Sequence, residues 1–511
     1  MRPFATAAAV RSEASHDDLV TEAVADLRAD CDELLVLVRD AERQLSAAAA
    51  ELERARGELQ PETFETVTAQ ICGARSRNGT VGRRLLRMRQ LASPARSPDE
   101  AALAELVSEK GACADLIRAE RTLAAALTIA ADWQSPSFGS STFQSAGRQC
   151  GRIRPHWNDY KRDRHVDAEA YERAYASRMV DCSAGLRALV TSCGMAAFTT
   201  VVAFLRDEGR LEGPIVVGQG LYHETRLLLE RALPGRVHAV DERDTERLLE
   251  AIDALRPGAV FLDSLSNTTW MPVPDLCAVI ERLRGGTTYL VLDNTGLSVS
   301  FQPFAIAGDG LPLIVFESLL KYAQLGLDRV NAGVIVARSQ EAEALADYRE
   351  HLGTNVSDLA ACVLPAPLRW VLERRLARIE RNCTLLAGHL ACRVGHLAEI
   401  VYPGLAGHPS HQVARRLAFR GGCLSIVLRD DDRELSRARA LIDAAVAEGA
   451  RRGVALTAGA SFGFDTTRIY LTAASADCGE PFLRVSAGTE HRLAVDALAG
   501  VLEEAVRRAA A

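Results

Sequence analysis

Lysine is scarce in this chain of 511 residues. Lys and Arg together number 60, yet only Lys110, Lys161 and Lys321 are lysines, so a lysine inside a chemical pattern is informative. An overall excess of positive charge is also missing, since the net charge is -7. That balance argues against a nucleic-acid-binding or anionic-membrane-binding protein, although it leaves room for a local basic patch.

Cysteine pairs at metal-binding spacing and long apolar runs are absent as well. The twelve cysteines include no CxxC pair, so we expect reduced thiols and neither a zinc nor a redox site. His408 and His411 lack Cys or acidic partners at metal spacing, so we expect no metal. No apolar run approaches the roughly 18 residues of a membrane span, and Met1–Val10 is too short for a signal peptide. We therefore expect a cytoplasmic protein without a membrane partner.

Residues 1–133 predict an N-terminal helical extension. Apolar residues such as Leu27, Leu34 and Val38 recur at helical spacing. Breaks near Pro61 and Pro98 divide the segment into three long helices, which favours an antiparallel bundle. The segment shows no catalytic group, so we expect a role in packing, oligomerisation or partner binding. Lys110 is interpreted as an ordinary surface lysine.

The rest of the chain predicts an α/β protein. Residues 134–165 are rich in Ser, Gly and Pro and mark a boundary. In residues 166–352, short apolar runs alternate with amphipathic stretches, which is typical of a mainly parallel sheet with helices on both faces. The predicted strands are Pro214–Gly218, Ala259–Asp263, Tyr289–Asp293, Leu313–Glu317 and Gly333–Ala337. Residues 353–511 predict a small α+β C-terminal domain, with helices at 368–389 and 494–510 and strands at 423–428 and 467–471.

Polar residues follow three of these strands, where ligands of open α/β sheets bind. They are Asp263 to Asn267, Asp293 to Thr295, and Ser318 to Tyr322. An Asp293–Lys321 ion pair is one interpretation. A pyridoxal phosphate site explains more of the pattern, because that cofactor needs a lysine amine, a carboxylate, a phosphate cradle and a stacking ring.

Each of these four requirements has a candidate. Lys321 would supply the amine, and Asp293 would keep the ring nitrogen protonated. A helix that begins within 191–197 would bind the phosphate with its free N–H groups, and Tyr222 would stack on the ring.

A series of motifs then runs through residues 135–511. They are Ser141-Thr142-Phe143, Tyr160-Lys161-Arg162, Cys193-Gly194-Met195, Tyr222-His223-Glu224-Thr225, Asp263 to Asn267, Asp293-Asn294-Thr295, Ser318 to Tyr322, Val401 to Leu405 with His408-Pro409, and Phe482 to Glu490. In composition and order they resemble those of the Cys/Met-metabolism family of pyridoxal-phosphate enzymes, which contains cystathionine γ-synthase, cystathionine lyases and methionine γ-lyase. Any one of these motifs alone is weak evidence for the family, but the complete set in this order is specific for it.

The resemblance implies a fold-type I transferase that binds pyridoxal 5'-phosphate. It implies catalytic roles for Lys321, Tyr222 and Asp293. The implied cofactor-binding residues are Lys321, Asp293, Tyr222, Cys193, Gly194, Met195, Asn267, Ser318, Tyr160 and Arg162. Arg484 is implied to bind the substrate α-carboxylate, a bidentate task that suits a guanidinium. Since Tyr160 and Arg162 would reach a neighbouring subunit's phosphate, the resemblance also implies a homodimer or a dimer of dimers with shared active sites.

The sequence departs from the family pattern at several places. Cys193 stands in place of Ser and Leu320 in place of Thr or Ser, so two hydroxyl groups are lost near the phosphate. Residues 323–328 replace the family's usual loop, and the helical extension is an addition. These departures suggest a specialised, biosynthetic member.

The resemblance implies an enzyme that acts on a small-molecule amino acid substrate and a second, nucleophilic substrate. We expect γ-replacement on an amino acid with a γ-leaving group, O-acylhomoserine-like or a sulfonium such as S-adenosylmethionine, through a vinylglycine-type intermediate. A β- or γ-eliminating C–S lyase, an aminotransferase of the same fold and a non-catalytic scaffold are the alternatives.

Overall fold

The computed structural model describes residues 15–131 except 55, 58 and 94–98, together with residues 166–429, 435–472 and 481–510. The N-terminal part folds into three long helices, α1 His16–Arg54, α2 Pro61–Leu91 and α3 Glu100–Ala131. Pro61 occupies the first turn of α2, where its missing N–H costs no helix hydrogen bond.

The three helices form an antiparallel bundle, as predicted. On α1 and α2, Glu42 pairs with Arg75 whereas Asp32 pairs with Arg89, so the two helices run in opposite directions. Arg77 and Arg84 of α2 pair in the same reversed order with Glu120 and Glu109 of α3. Buried apolar side chains, including Leu45 and Ile71, fill the bundle interior.

A mainly parallel sheet forms the central part of the molecule. Its strands are β1 Leu186–Thr191, β2 Ile215–Gly218, β3 Val237–Val240, β4 Ala259–Asp263, β5 Tyr289–Asp293, β6 Leu313–Ser318 and β7 Gly333–Arg338. Within the described residues their order is β1-β7-β6-β5-β4-β2-β3. Strands β3, β2, β4, β5 and β6 are parallel, and β7 is antiparallel to both β6 and β1.

Helices cover both faces of this sheet. They are α4 Val166–Met179, α5 Gly194–Asp207, α6 His223–Ala232, α7 Thr245–Leu255, α8 Leu276–Leu283, α9 Pro303–Ala307, α10 Ser339–Leu352 and α11 Asp358–Val363. In β4, Val260 and Leu262 pack into the core on the α7 and α8 side. Ala259 and Phe261 pack into the core on the α5 and α10 side. Because both faces are buried, the strand is a continuous apolar run.

The C-terminal part contains a second, smaller sheet. Its elements are α12 Arg369–Val394, β8 Ala398–Val401, α13 His411–Ala414, β9 Cys423–Leu428, α14 Leu435–Arg451, β10 Thr457–Ala458, β11 Arg468–Thr472, β12 Phe482–Ser486 and α15 Arg492–Ala509. Among the described residues the strand order is β10-β11-β12-β9-β8. Helices α12, α14 and α15 pack on this sheet around a shared apolar core, so the fold is the predicted α/β architecture with an α+β C-terminal part.

The prediction for Lys110 is wrong. Lys110 of α3 is largely buried, and its Nζ lies 3.0 Å from Asp30 Oδ2 of α1. Asp30 also contacts Arg378 of α12. Burial alone would lower the pKa of Lys110, but Asp30 and Asp465 raise it overall. The lysine is therefore part of a charged contact between the bundle and α12.

Across the described ranges, no helix combines the length and apolarity needed to cross a bilayer.

Candidate active site

A cavity of about 340 Å³ opens where β4, β5 and β6 end. One wall consists of residues that follow these strands, including Asp293 and Lys321, and the opposite wall comes from the C-terminal part, including Phe462 and Arg484. The volume suits a small organic ligand. The carboxyl ends of parallel strands are also where the sequence pattern predicts a ligand.

Lys321 follows β6 and enters the cavity just before a short 3₁₀ turn, Tyr322–Gln324. Its Nζ donates a hydrogen bond to Ser461 Oγ at 2.7 Å and lies 5.3 Å from the centre of the Phe462 ring. Burial, together with the nearby positive charge of Arg484, lowers the pKa of Lys321 to about 8. A larger share of the amine is therefore neutral and nucleophilic near neutral pH than for an exposed lysine.

No ion pair between Lys321 and Asp293 is formed in the part of the chain that the structure describes. Asp293 ends β5, and its Oδ1 accepts the Thr295 N–H at 2.9 Å. Burial raises the pKa of Asp293, while hydrogen bonds from Thr295 and the charge of Lys321 act in the opposite direction. A cationic ligand group beside Asp293 would favour the ionised carboxylate.

A second buried carboxyl group lies beside Asp293. Asp263 ends β4 and pairs in register with Asp293. Its Oδ2 accepts the Tyr222 N–H at 3.0 Å, whereas its Oδ1 is buried and meets no hydrogen-bond partner among the described residues. Burial and the neighbouring Asp293 and Glu242 raise the pKa of Asp263 well above its usual value, which favours the protonated form of this carboxyl group.

The N-terminus of α5 forms another side of the cavity. The helix begins at Gly194, and Cys193 caps it, with its Sγ accepting the Ala196 N–H at 3.3 Å. The first N–H groups of a helix lack acceptors within it, so Gly194 and Met195 can offer theirs to a phosphate. A Cβ at Gly194 would lie only 2.9 Å from Ser318 Cβ, so a larger residue would push the helix end away from β6.

Tyr222 lies at the rim of the cavity, immediately before α6, and is 39% exposed. Burial of part of the side chain, together with the charge of Glu224 and a hydrogen bond to it, raises the pKa of Tyr222. The phenol is therefore protonated at neutral pH and can act as a proton donor or as a flat apolar surface.

Arg484 lies in the middle of β12 and is only 3% exposed. Its Nη1 donates to Asn267 Oδ1, and its guanidinium lies 4.4 Å from the centre of the Tyr470 ring. Its Nε is buried without a hydrogen-bond partner among the described residues. A fixed guanidinium with an unused donor fits a carboxylate ligand.

The predicted site residues fall into two groups. The cavity lining brings together Lys321, Asp293, Tyr222, Cys193, Gly194, Met195, Asn267, Ser318 and Arg484. Tyr160 and Arg162, like Ser141-Thr142-Phe143, lie outside the described residues.

The sequence interpretation missed several lining residues, among them Tyr470, Ser461 and Phe462, and the pairing of Asp263 with Asp293. Tyr470 faces Arg484 directly across the β11–β12 pair, a contact that a correct prediction of β12 would have indicated. Ser461 and Phe462 lie in a loop, and Ser461 has a φ of +73°. The only sequence signal for that loop is the short Gly-Ala-Ser-Phe-Gly stretch at 459–463.

The residues present fit pyridoxal phosphate. Lys321 offers a partly neutralised amine to its aldehyde, and Asp293 is a buried carboxyl group whose ionised form needs a cationic neighbour such as a protonated ring nitrogen. The α5 N-terminus next to Ser318 offers donors to a phosphate.

Comparison with known proteins gives a consistent family match. Residues 124–505 match the family described as Cys/Met metabolism PLP-dependent enzyme. The bifunctional enzyme flvA of Aspergillus flavus is 27% identical over 309 residues, which cover 59% of this chain and 37% of that protein. The cystathionine β-lyase of Coxiella burnetii is 25% identical over 283 residues, 55% of this chain and 70% of that protein. The chain thus spans little more than a third of the first relative's length.

Solved structures agree with this match. A cystathionine γ-synthase from Xanthomonas oryzae pv. oryzae, in complex with aminoacrylate and cysteine, superposes with a TM-score of 0.56 at 25% identity, covering 71% of this chain and 90% of that one. A cystathionine γ-lyase from Lactobacillus plantarum, complexed with L-serine, gives a TM-score of 0.56 at 17% identity, over 70% of this chain and 91% of that one. The second likeness concerns the fold alone.

Proposed function

The chain belongs to the Cys/Met-metabolism family of pyridoxal-phosphate-dependent enzymes, and we propose that within this family it catalyses γ-replacement in a specialised biosynthetic pathway. The proposed substrate is an amino acid with a γ-leaving group, O-acylhomoserine-like or a sulfonium such as S-adenosylmethionine, and a second substrate supplies the nucleophile. One observation supports an amino-acid substrate at this site, and the choice of γ-replacement follows the family resemblance. The amine of Lys321 and the guanidinium of Arg484 line the same cavity, so an α-amino acid held by its carboxylate can meet a base.

Lys321 is proposed as the base that removes the proton from the substrate Cα and returns protons at neighbouring carbons. Its pKa of about 8 supports this role, because a general base works best when its pKa lies near the working pH. Pyridoxal phosphate, when bound, supplies an electron sink next to the substrate amine. Tyr222, whose raised pKa keeps it protonated, is proposed as the acid near the leaving group.

The remaining residues are proposed to bind and orient. Arg484 would pair with the substrate α-carboxylate, and Asp293 would face the ring nitrogen as an ionised carboxylate. Asn267 lines the cavity and, in line with the family resemblance, would contact the ring hydroxyl. The phosphate would lie against Cys193, Gly194, Met195 and Ser318.

The test is to incubate the holoenzyme in heavy water with amino acids that carry β- or γ-leaving groups, with and without a thiol or amine nucleophile. NMR follows exchange at each carbon and release of the substituent. We expect exchange at both Cα and Cβ, loss of the γ-substituent and its replacement by the added nucleophile. The Lys321→Ala variant should show neither exchange nor release.

Other outcomes would favour the alternatives. Release of the substituent with formation of a keto acid, and without incorporation of the nucleophile, would identify a β- or γ-eliminating lyase. Transfer of the amino group to an added keto acid would identify an aminotransferase. Either result would contradict γ-replacement while leaving the family unchanged.

A further inference from the structure

Segment 460–465 joins β10 to β11 and lies directly against the catalytic lysine. Ser461 Oγ accepts the hydrogen bond from Lys321 Nζ. Gly463 has a φ of +90°, and a Cβ at this position would lie 2.9 Å from the carbonyl carbon of Lys321. Ser461 itself has a φ of +73°, a strained conformation that persists only where the surroundings hold it. The position of the lysine amine therefore depends on what holds this segment.

A buried arginine of α12 holds the segment from behind. Arg375 is 1% exposed, and its Nη2 donates to Gly463 O at 3.1 Å and to Asp465 Oδ1 at 2.8 Å. Its other terminal nitrogen, Nη1, donates to Glu33 Oε2 of α1 at 2.9 Å. The N-terminal bundle thus supplies the second carboxylate that fixes this guanidinium.

The bundle also reaches the segment directly. Arg118 of α3 donates through Nη2 to Asp465 Oδ2 at 2.8 Å and to Gly326 O at 3.2 Å. Gly326 lies in the loop that follows Lys321, and a Cβ there would lie 2.4 Å from Asp465 Oδ1. One bundle side chain therefore bridges the two loops that flank the catalytic lysine.

The charges around Asp465 also link the bundle to this segment. Burial would raise the pKa of Asp465, but Arg375, Lys110 and Arg118 together lower it. Two of these three cations belong to α3. Without the bundle, a buried carboxylate beside the active-site loop would keep only Arg375.

We propose that the N-terminal helical extension positions the active site, with Glu33 and Arg118 holding segment 460–465 against Lys321. The two are positioning residues, since they act through Arg375, Asp465 and Gly326 and do not line the main cavity. This inference rests on the proposed role of Lys321 as the cofactor-binding lysine and base, and it assigns a task to the part of the chain that the family pattern does not contain.

The test compares Arg118→Met and Glu33→Gln with the control Arg77→Met in the full-length holoenzyme. Arg77 forms an ion pair of the same type within the bundle, 2.6 Å from Glu120, but contacts neither loop. Hydrogen–deuterium exchange of residues 457–466 and the pH titration of the lysine-bound chromophore are measured without substrate, so the result does not depend on whether γ-replacement occurs.

We expect segment 457–466 to exchange about tenfold faster in Arg118→Met, since a hydrogen bond to a charged group is lost. Glu33→Gln should give a smaller increase. The chromophore titration should shift in both proteins, and Arg118→Lys should restore part of the effect because it keeps a charge beside Asp465. The proposal would be overturned if Arg118→Met and Glu33→Gln showed the same exchange rates and the same chromophore titration as Arg77→Met. Should Arg118→Met fail to fold, Glu33→Gln, which removes only a charge, decides by the same criteria.

Discussion

The surroundings of Lys321 lower the pKa of its amine. Its pKa is lowered to about 8 by burial and by Arg484, and only the neutral amine can attack an aldehyde. Binding of pyridoxal phosphate to the cofactor-free protein should therefore accelerate as the pH rises through about 8 and level off above it. Absorbance stopped-flow measures this rate.

The control for this prediction is Arg484→Met. Removing the guanidinium takes away the second cause of the lowered pKa, so the midpoint should move to higher pH. Borohydride reduction and peptide mapping should place the cofactor on Lys321. Lys110 should remain unlabelled, because it is buried against Asp30. A rate that does not change with pH across this range would contradict the assignment.

Arg484 offers a second test at single-residue scale. Arg484→Lys keeps the charge but loses the planar fork, the bond to Asn267 and the contact with the Tyr470 ring. We expect KM for the amino acid to rise about 10- to 100-fold, since a charged hydrogen bond contributes about 1.5–3 kcal/mol. Steady-state kinetics measures it.

Arg210→Lys is the matched control for this change. The Arg210 guanidinium also lies over a tyrosine ring, 5.5 Å from the centre of Tyr289, but neither residue belongs to the cavity lining. Equal KM values in the two variants would mean that Arg484 does not bind the substrate.

The site residues that could be predicted are those whose side chains match a need of the cofactor and whose position follows a predicted strand. Lys321 and Asp293 follow apolar strands and match the needs of one cofactor, so the sequence alone singles them out. Ser461 and Asp263 could not be found in that way. Ser461 meets Lys321 only because a loop 140 residues later folds back. The pKa of Asp263 is raised by burial and by neighbouring carboxyl groups that only the fold brings together.

At the scale of elements, the strands of the central sheet that are uninterrupted apolar runs could be predicted, and its interrupted strands could not. Strands β4 and β5 are buried on both faces and match the predicted ranges. Strands β1 and β3 escaped prediction because Arg187 interrupts the first, and the second lies at the sheet edge with two exposed residues. Strand β12 carries Arg484 in a fully buried stretch, a pattern that composition does not mark as a strand.

The N-terminus of α5 gives a prediction at this scale. Gly194→Ala places a Cβ about 2.9 Å from that of Ser318, so the helix end must move away from β6 and from the proposed phosphate position. We expect at least a tenfold loss of affinity for pyridoxal phosphate, measured by fluorescence titration of the cofactor-free protein. This corresponds to about 1.4 kcal/mol.

Gly111→Ala serves as the control for that variant. Gly111 lies within α3, and a Cβ there would meet nothing within 4 Å. Alanine favours a helix over glycine by about 1 kcal/mol, so this variant should be slightly stabilised with unchanged cofactor affinity. Unchanged affinity in Gly194→Ala as well would argue against phosphate binding at α5.

At the scale of the whole molecule, the bundle and the family fold share a buried charged interface. Asp30 of α1 contacts both Lys110 of α3 and Arg378 of α12. Burial raises the pKa of Asp30, but these two cations lower it to about 2 overall. Such an interface could not be read from the sequence, because isolated charges on amphipathic helices usually face water. The burial of Lys110 is a consequence of docking rather than of its own helix.

The cavity lining bears on how the phosphate of the cofactor would be held. Among the described residues that line it, only Lys321 and Arg484 are basic, and both are proposed for other tasks, so the described lining offers the phosphate no further cation. We propose that Arg162 of a neighbouring copy supplies the positive charge and that Tyr160 of the same copy adds a hydroxyl donor. In that arrangement, Lys321→Ala and Arg162→Ala each inactivate the homodimer. A mixed dimer, however, contains one site with both residues intact.

This arrangement predicts recovery on mixing. Co-expressed at equal levels, the two variants should regain about a quarter of wild-type activity, because half of the dimers are mixed and each has one complete site of two. Different affinity tags on the variants allow the mixed dimers to be isolated, which should raise recovery to about half. Mixed dimers with no more activity than the separate variants would show that Arg162 acts within its own subunit, and that the phosphate is neutralised without a neighbour.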